Sequence, residues 1–165
     1  MSGFTAAGIT KDTVTTTQQA PLGFRLTVPD GDNGLQTWVY VKANGAISKG
    51  ALVAQATTAP YVVDEAGANL EAVKVYGVAQ SDIANGSYGF VIARGYCPVI
   101  LSTSAASPGA ADQIKTAANG VAIINNLANE ADVAGNLGYM LTAPAQIGGA
   151  GPFYGTGMVL CGTGS

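Results

Sequence analysis

The chain has 165 residues, with seven Lys or Arg, ten Asp or Glu and no His, for a net charge of −3. Its few basic residues are scattered from Lys11 to Lys115 and form no stripe, so phosphate-directed binding of nucleic acid is not expected. The missing histidine removes the side chain whose charge ordinarily changes near neutral pH, which argues against proton-transfer chemistry.

Residues 1–22 lack alternation and are rich in Thr and Gln, ending at Pro21. They read as an extended arm. At about 3.3 Å per residue such an arm reaches roughly 70 Å, enough to cross a neighbouring subunit. Its opening, MSGFTAAGITKD, has neither a basic region nor a long apolar run, so no secretory signal is expected.

From Gly23 onward the pattern changes to that of one β-rich domain, residues 23–165. GFRLTV alternates, a turn cluster spans Pro29–Gly34, and LQTWVYVKA follows as a strand. Further strand-like runs are ALVAQ, YVV, AVKVYGVAQ, SYGFVIARGYCPVIL, DQIKTA, GVAII, LGYMLTA and TGMVLCG. Short strands separated by turn signals predict an all-β fold, a small barrel or sandwich. Four Asn-Gly pairs, at 33–34, 44–45, 85–86 and 119–120, suit type I′ hairpin turns because both residues accept positive φ. Two short helices are conceivable, Ser81–Ala84 and Asn126–Val133, the second being the better candidate. No charge follows Asp132, but Gly and Pro interrupt that tail too often for a membrane helix. No membrane contact is expected.

A loose internal repeat pairs Lys49-Gly50-Ala51 with Pro108-Gly109-Ala110, and Gly86-Ser87-Tyr88 with Gly151-Pro152-Phe153. It divides the domain into two related units, about 23–102 and 103–165. The expected core is Leu26, Val28, Trp38 with Val39 or Tyr40, Val53, Val75, Val78, Phe90, Ile92, Val99, Leu101, Ile123, Leu141, Val159 and Leu160. Around 38–41 both faces are apolar, so alternation alone does not choose between them.

No chemical motif survives inspection. There is no phosphate-binding glycine loop, and Asn85-Gly86-Ser87-Tyr88-Gly89 departs from a nucleophile elbow at its first position. Asp30-Gly31-Asp32-Asn33-Gly34 starts like a calcium loop but has Gly34 and Val41 at the fifth and twelfth positions. Asp64, Glu65, Glu71 and Asp82 are the best carboxylate pair for an enzyme, yet they sit in turn-like stretches where acids are ordinarily solvated. Cys97 and Cys161 lie in apolar runs and read as reduced, buried thiols, though a bridge between them stays open. No catalytic residue, metal ligand or cofactor is assigned. Partner-facing candidates are Thr13, Thr15 and Thr17 in the arm, with Trp38 and Tyr40 as aromatic anchors.

The stretches PLGFRLTVPDGDNGLQTWVYVKANGAISKGALV, VYGVAQSDIANGSYGFVIARGYCPVIL and SPGAADQIKTAANGVA together span most of residues 21–125. Their order resembles small head proteins of tailed bacteriophages, above all of marine podophages, regarded as capsid decoration or cement proteins. The resemblance rests on turn glycines and apolar strands and carries over no functional residue. It implies a β-rich virion subunit, made in the host cytoplasm and bound outside an icosahedral shell. The major capsid protein and further copies of the chain, favoured as a trimer, would be its partners. Alternatives are a tail or head-fibre component and a glycan-binding β-sandwich built around Trp38.

Overall fold

Short apolar runs punctuated by Gly and Asn become strands in the structure, a computed structural model that describes residues 5–6, 9–102, 109–125, 133–146 and 153–161. The fold is all-β. Thirteen strands are described: β1 (Thr5–Ala6), β2 (Ile9–Thr10), β3 (Arg25–Pro29), β4 (Leu35–Ala43), β5 (Leu52–Gln55), β6 (Val62–Glu65) and β7 (Val75–Ala79) come first. Then follow β8 (Tyr88–Leu101), β9 (Gln113–Thr116), β10 (Ala122–Ile124), β11 (Gly138–Met140), β12 (Ala145–Gln146) and β13 (Phe153–Leu160).

Strands β4, β6, β5, β7 and β8 close on one another, since β8 pairs back with β4. Strands β8, β10, β9, β11 and β13 close likewise, since β13 pairs back with β8. The long strand β8 belongs to both rings. Each ring contains one parallel pairing, β4 with β6 and β8 with β10.

β8 serves two rings because it is bulged. Its register against β4 slips between Thr37 and Trp38, so Ala93 is the extra residue. A bulge inverts which face the following side chains take. Phe90 and Ile92 before it therefore share a cluster with Cys97, Val99 and Leu101 after it, whereas Val91, Ala93 and Ile100 share the other. The rings curl to opposite sides of β8. Gly95, at φ +123, lies just beyond the bulge, where a Cβ would sit 3.0 Å from the Leu35 carbonyl oxygen.

The pairing scheme of the first ring recurs in the second. Val41 opposite Gly89 and Lys42 opposite Tyr88 recur as Val99 opposite Gly155 and Ile100 opposite Tyr154. Val53 opposite Gly77 recurs as Ile114 opposite Gly138. Around the β5 entry the Gly50 amide donates to the Ala79 carbonyl at 2.7 Å and the Ala79 amide to Ala51 at 2.9 Å. Ala111 and Met140 make the same two bonds at the same lengths, with Met140 and Asp112 respectively. Interior side chains match too. Val41, Val53, Val63 and Ala79 fill one ring and Val99, Ile114, Ala122 and Met140 the other, each inaccessible to solvent. The sequence alignment of these segments shifts accordingly. Lys49-Gly50-Ala51 corresponds to Ala110-Ala111-Asp112, two positions later than its sequence match, and Tyr88-Gly89 to Tyr154-Gly155, one later.

Three expectations change. Ser81–Ala84 is not helical: Ile83 exchanges backbone hydrogen bonds of 2.9 Å with Ile47 as an isolated bridge. The helix expected at Asn126–Val133 lies outside the described residues except for Val133, which is helical with Ala134. Only Asn119-Gly120 has both φ values positive, as a type I′ turn requires; at 33–34 and 85–86 the glycine alone does, and at 44–45 neither does. Leu141 and Leu160, expected in the core, are 41% and 45% exposed, because Met140 and Val159 beside them take the inward positions.

Candidate interaction face

The arm residues nominated from sequence lie on the chain's own first ring. Thr15 exchanges backbone hydrogen bonds with Tyr88, at 2.9 and 2.8 Å, while Thr13 and Thr17 stay exposed. The Gln19 amide donates to the Tyr40 hydroxyl at 3.1 Å, and the Gly23 amide to the Tyr40 carbonyl at 2.8 Å. Ile9, Ala20, Leu22 and Phe24 pack on the same cluster as Trp38 and Tyr40. The Lys11 ammonium stands 4.8 Å from the Trp38 ring centroid, a cation–π contact. Trp38 is consequently 3% exposed and Tyr40 fully enclosed, so neither presents an open ring face in the monomer.

The acidic candidates are engaged as turn braces. Asp64 accepts a 2.9 Å bond from the Asn44 side chain, Glu65 a 2.8 Å bond from the Ser48 amide, and Asp82 a 2.7 Å bond from the Lys49 amide. Glu71 pairs with Lys74 at 3.5 Å. Among the described residues no three of Cys, Asp and Glu gather as metal ligands. Asp30–Gly34 is the tip of the β3–β4 hairpin, closed by the Asp30 amide on the Gly34 carbonyl at 2.8 Å. Cys97 and Cys161 are free thiols. Register places Cys97 opposite Gly157, while the Cys161 amide bonds the Ala93 carbonyl four residues away along β8.

A further candidate surface is the outer face of the second ring, continuing onto β4 and β3. Tyr96, Met158 and Tyr139 are cross-strand neighbours on β8, β13 and β11. The two tyrosine hydroxyls meet at 3.4 Å, and this bond, with the neighbouring ring's charge, raises the Tyr139 pKa above its ordinary value. One pleat along, Leu160 lies opposite Arg94, Arg94 opposite Thr37, and Thr37 opposite Thr27. Leu35, at the end of β4, is 65% exposed. Between them lies a hollow of 390 Å³ lined by Thr27, Asn33, Leu35, Thr37, Arg94 and Met158. Tyr139, Leu160 and Leu35 thus leave apolar surface exposed around a hollow whose own lining is largely polar. Sequence pattern did not single out this face, because β8 and β13 carry apolar residues on both sides and register alone tells inside from outside.

No protein-family model matches the chain, and no curated protein matches it in sequence. In fold it is similar to a solved structure, the N base of the head fibre gp8.5 of bacteriophage phi29. The superposition has a TM-score of 0.52 at 16% identity, covering 76% of this chain and 96% of that one. At that identity the likeness concerns the fold.

Proposed function

We propose that this protein is a non-enzymatic structural component of a bacteriophage virion, seated on the outer surface of the head. The observation that carries this reading is the fold shared with a head-fibre base over nearly all of that domain. The braced carboxylates and the water-exposed apolar face support it, since they suit assembly better than turnover.

Two forms of the role are open to direct comparison. In the first, the chain decorates or cements the shell through contacts with the major capsid protein and with further copies of itself, the role suggested by the sequence resemblance. In the second, it is the base of a head fibre, the role suggested by the fold neighbour. Co-sedimentation of purified protein with capsids lacking it, followed by cryo-electron microscopy of the virion, tests the reading. Saturable binding at fixed sites on the shell is expected. Cement raises the temperature at which capsids rupture, whereas a fibre base leaves it unchanged and projects further protein outward. Protein that neither sediments with capsids nor occurs in purified virions refutes both forms.

A further inference from the structure

The matching rings make the bare face informative. In the first ring the row Trp38, Ile92, Val78 runs across β4, β8 and β7. In the second ring the row at the same place is Tyr96, Met158, Tyr139, across β8, β13 and β11. The first row is 3%, 1% and 0% exposed, buried in a cluster to which this chain's own arm contributes Ile9 and Ala20. The second row is less covered: Tyr96 and Met158 are half-buried and Tyr139 is 38% exposed.

Charge adds direction. Arg94 stands exposed between Leu160 and Thr37, in the wall of the hollow, and makes no ion pair among the described residues. The exposed carboxylate of Asp32, in the hairpin tip whose Asn33 lines the hollow, makes none either. A face that bears one unpaired cation in a hollow and one unpaired anion on the adjoining knob is complementary to itself.

We infer that the Tyr96–Met158–Tyr139 face binds a second copy of this chain, with the Asp32 hairpin tip of one copy set in the hollow against Arg94 of the other. This deepens the virion reading by naming the self-contact, and it is testable without capsids, so the two stand or fall separately. The measurement is the mass of the full chain by sedimentation equilibrium across about a hundredfold range of concentration. Wild type is expected to associate, and Leu160→Glu, Arg94→Glu and Asp32→Arg each to weaken association at least tenfold. The charge swap that combines Arg94→Glu with Asp32→Arg is expected to restore it. Each variant is checked by its urea midpoint, read from the fluorescence of Trp38 at a concentration where wild type is monomeric, and there it must match wild type. A monomeric wild type, or association indifferent to Leu160→Glu, overturns the inference. So does a charge swap as weak as its two single variants.

Discussion

Gly138→Ala tests the idea that the second ring closes only because one strand pair approaches to backbone contact. Gly138 has φ +135, and a Cβ there would lie 1.9 Å from the Met158 carbonyl oxygen and 3.0 Å from its carbon. Two costs combine. An L side chain at that φ is strained by about 1–3 kcal/mol. The collision is with backbone held in the β11–β13 ladder, which cannot rotate aside, and overpacking of that kind costs about 1–3 kcal/mol more. A total of roughly 2–6 kcal/mol is a large share of the 5–15 kcal/mol by which a domain is ordinarily stable. Gly34→Ala is the control. At φ +88 and ψ −137 it too lies where an L side chain is strained, but nothing lies within 4 Å of the added carbon, so only the conformational part, about 1–3 kcal/mol, applies. Gly77→Ala, at the matching place in the first ring, meets the Ile92 carbonyl oxygen at 2.5 Å without a positive φ and should cost less than Gly138→Ala. Urea unfolding followed by Trp38 fluorescence and far-ultraviolet circular dichroism gives the three midpoints. If Gly138→Ala unfolds within about 1 kcal/mol of Gly34→Ala, the close approach is not what holds β11 to β13.

Ala111 occupies at φ +69 the place that Gly50 fills in the first ring, so Ala111→Gly should be neutral or stabilising by up to ~1 kcal/mol, and a urea midpoint clearly below wild type would refute the match. Gly50→Ala should destabilise, because its Cβ would meet both Ile100 and Tyr154 at about 3 Å, and the same midpoint measurement checks it. Burial lifts the Cys161 thiol to about 12 and, with the nearby Cys161 charge, raises Cys97 as well. Unfolded thiols ionise near pH 8.5, so the stability these groups contribute is complete below that pH and is lost as pH rises, by up to ~1.4 kcal/mol per unit for each. Urea midpoints at pH 8, 9 and 10 should fall less steeply for the Cys97→Ala, Cys161→Ala double variant than for wild type, and equal slopes would sink the argument. Asp82→Ala removes the acceptor of the Lys49 amide and should cost about 1 kcal/mol in the same assay; a carboxylate with no bracing role would cost nothing.

Much of the strand content was legible because alternation and turn residues are local signals. The run LQTWVYVKA became β4, and SYGFVIARGYCPVIL became the β8 strand less its first residue, Ser87. What local signals could not carry was closure. The apolar residues on both sides of positions 38–41 are explained by two different covers: Val39 and Val41 fill the first ring, while Trp38 and Tyr40 lie in the cluster packed by the arm. The bulge at Ala93, which inverts the rest of β8, depends on pairing with Thr37 and Trp38 of β4, far earlier in the chain, and leaves no mark in its own segment. For the same reason the aromatic anchors nominated from sequence were the enclosed ones. Trp38 is the more apolar residue of its matched pair with Tyr96, and hydrophobicity alone ranks it first. The structure reverses the order of accessibility.

That reversal says how the two rings have specialised. Along the matched row, Trp38 becomes Tyr96, Ile92 becomes Met158 and Val78 becomes Tyr139. Each exchange replaces a side chain suited to permanent burial by one that tolerates water and still packs well when covered. Tyrosine keeps a polar tip for the wet state, and methionine keeps the freedom to fit an imperfect surface. These are residue types favoured at interfaces that form after folding. Interior positions follow no such rule: Val41 and Val99, and Val53 and Ile114, remain fully buried aliphatics in both rings. A face that had merely lost its cover would have no reason to change in this one direction while the interior kept its character. The pattern is the one expected if the first ring's outer face is closed during folding of the chain and the second ring's is closed during assembly.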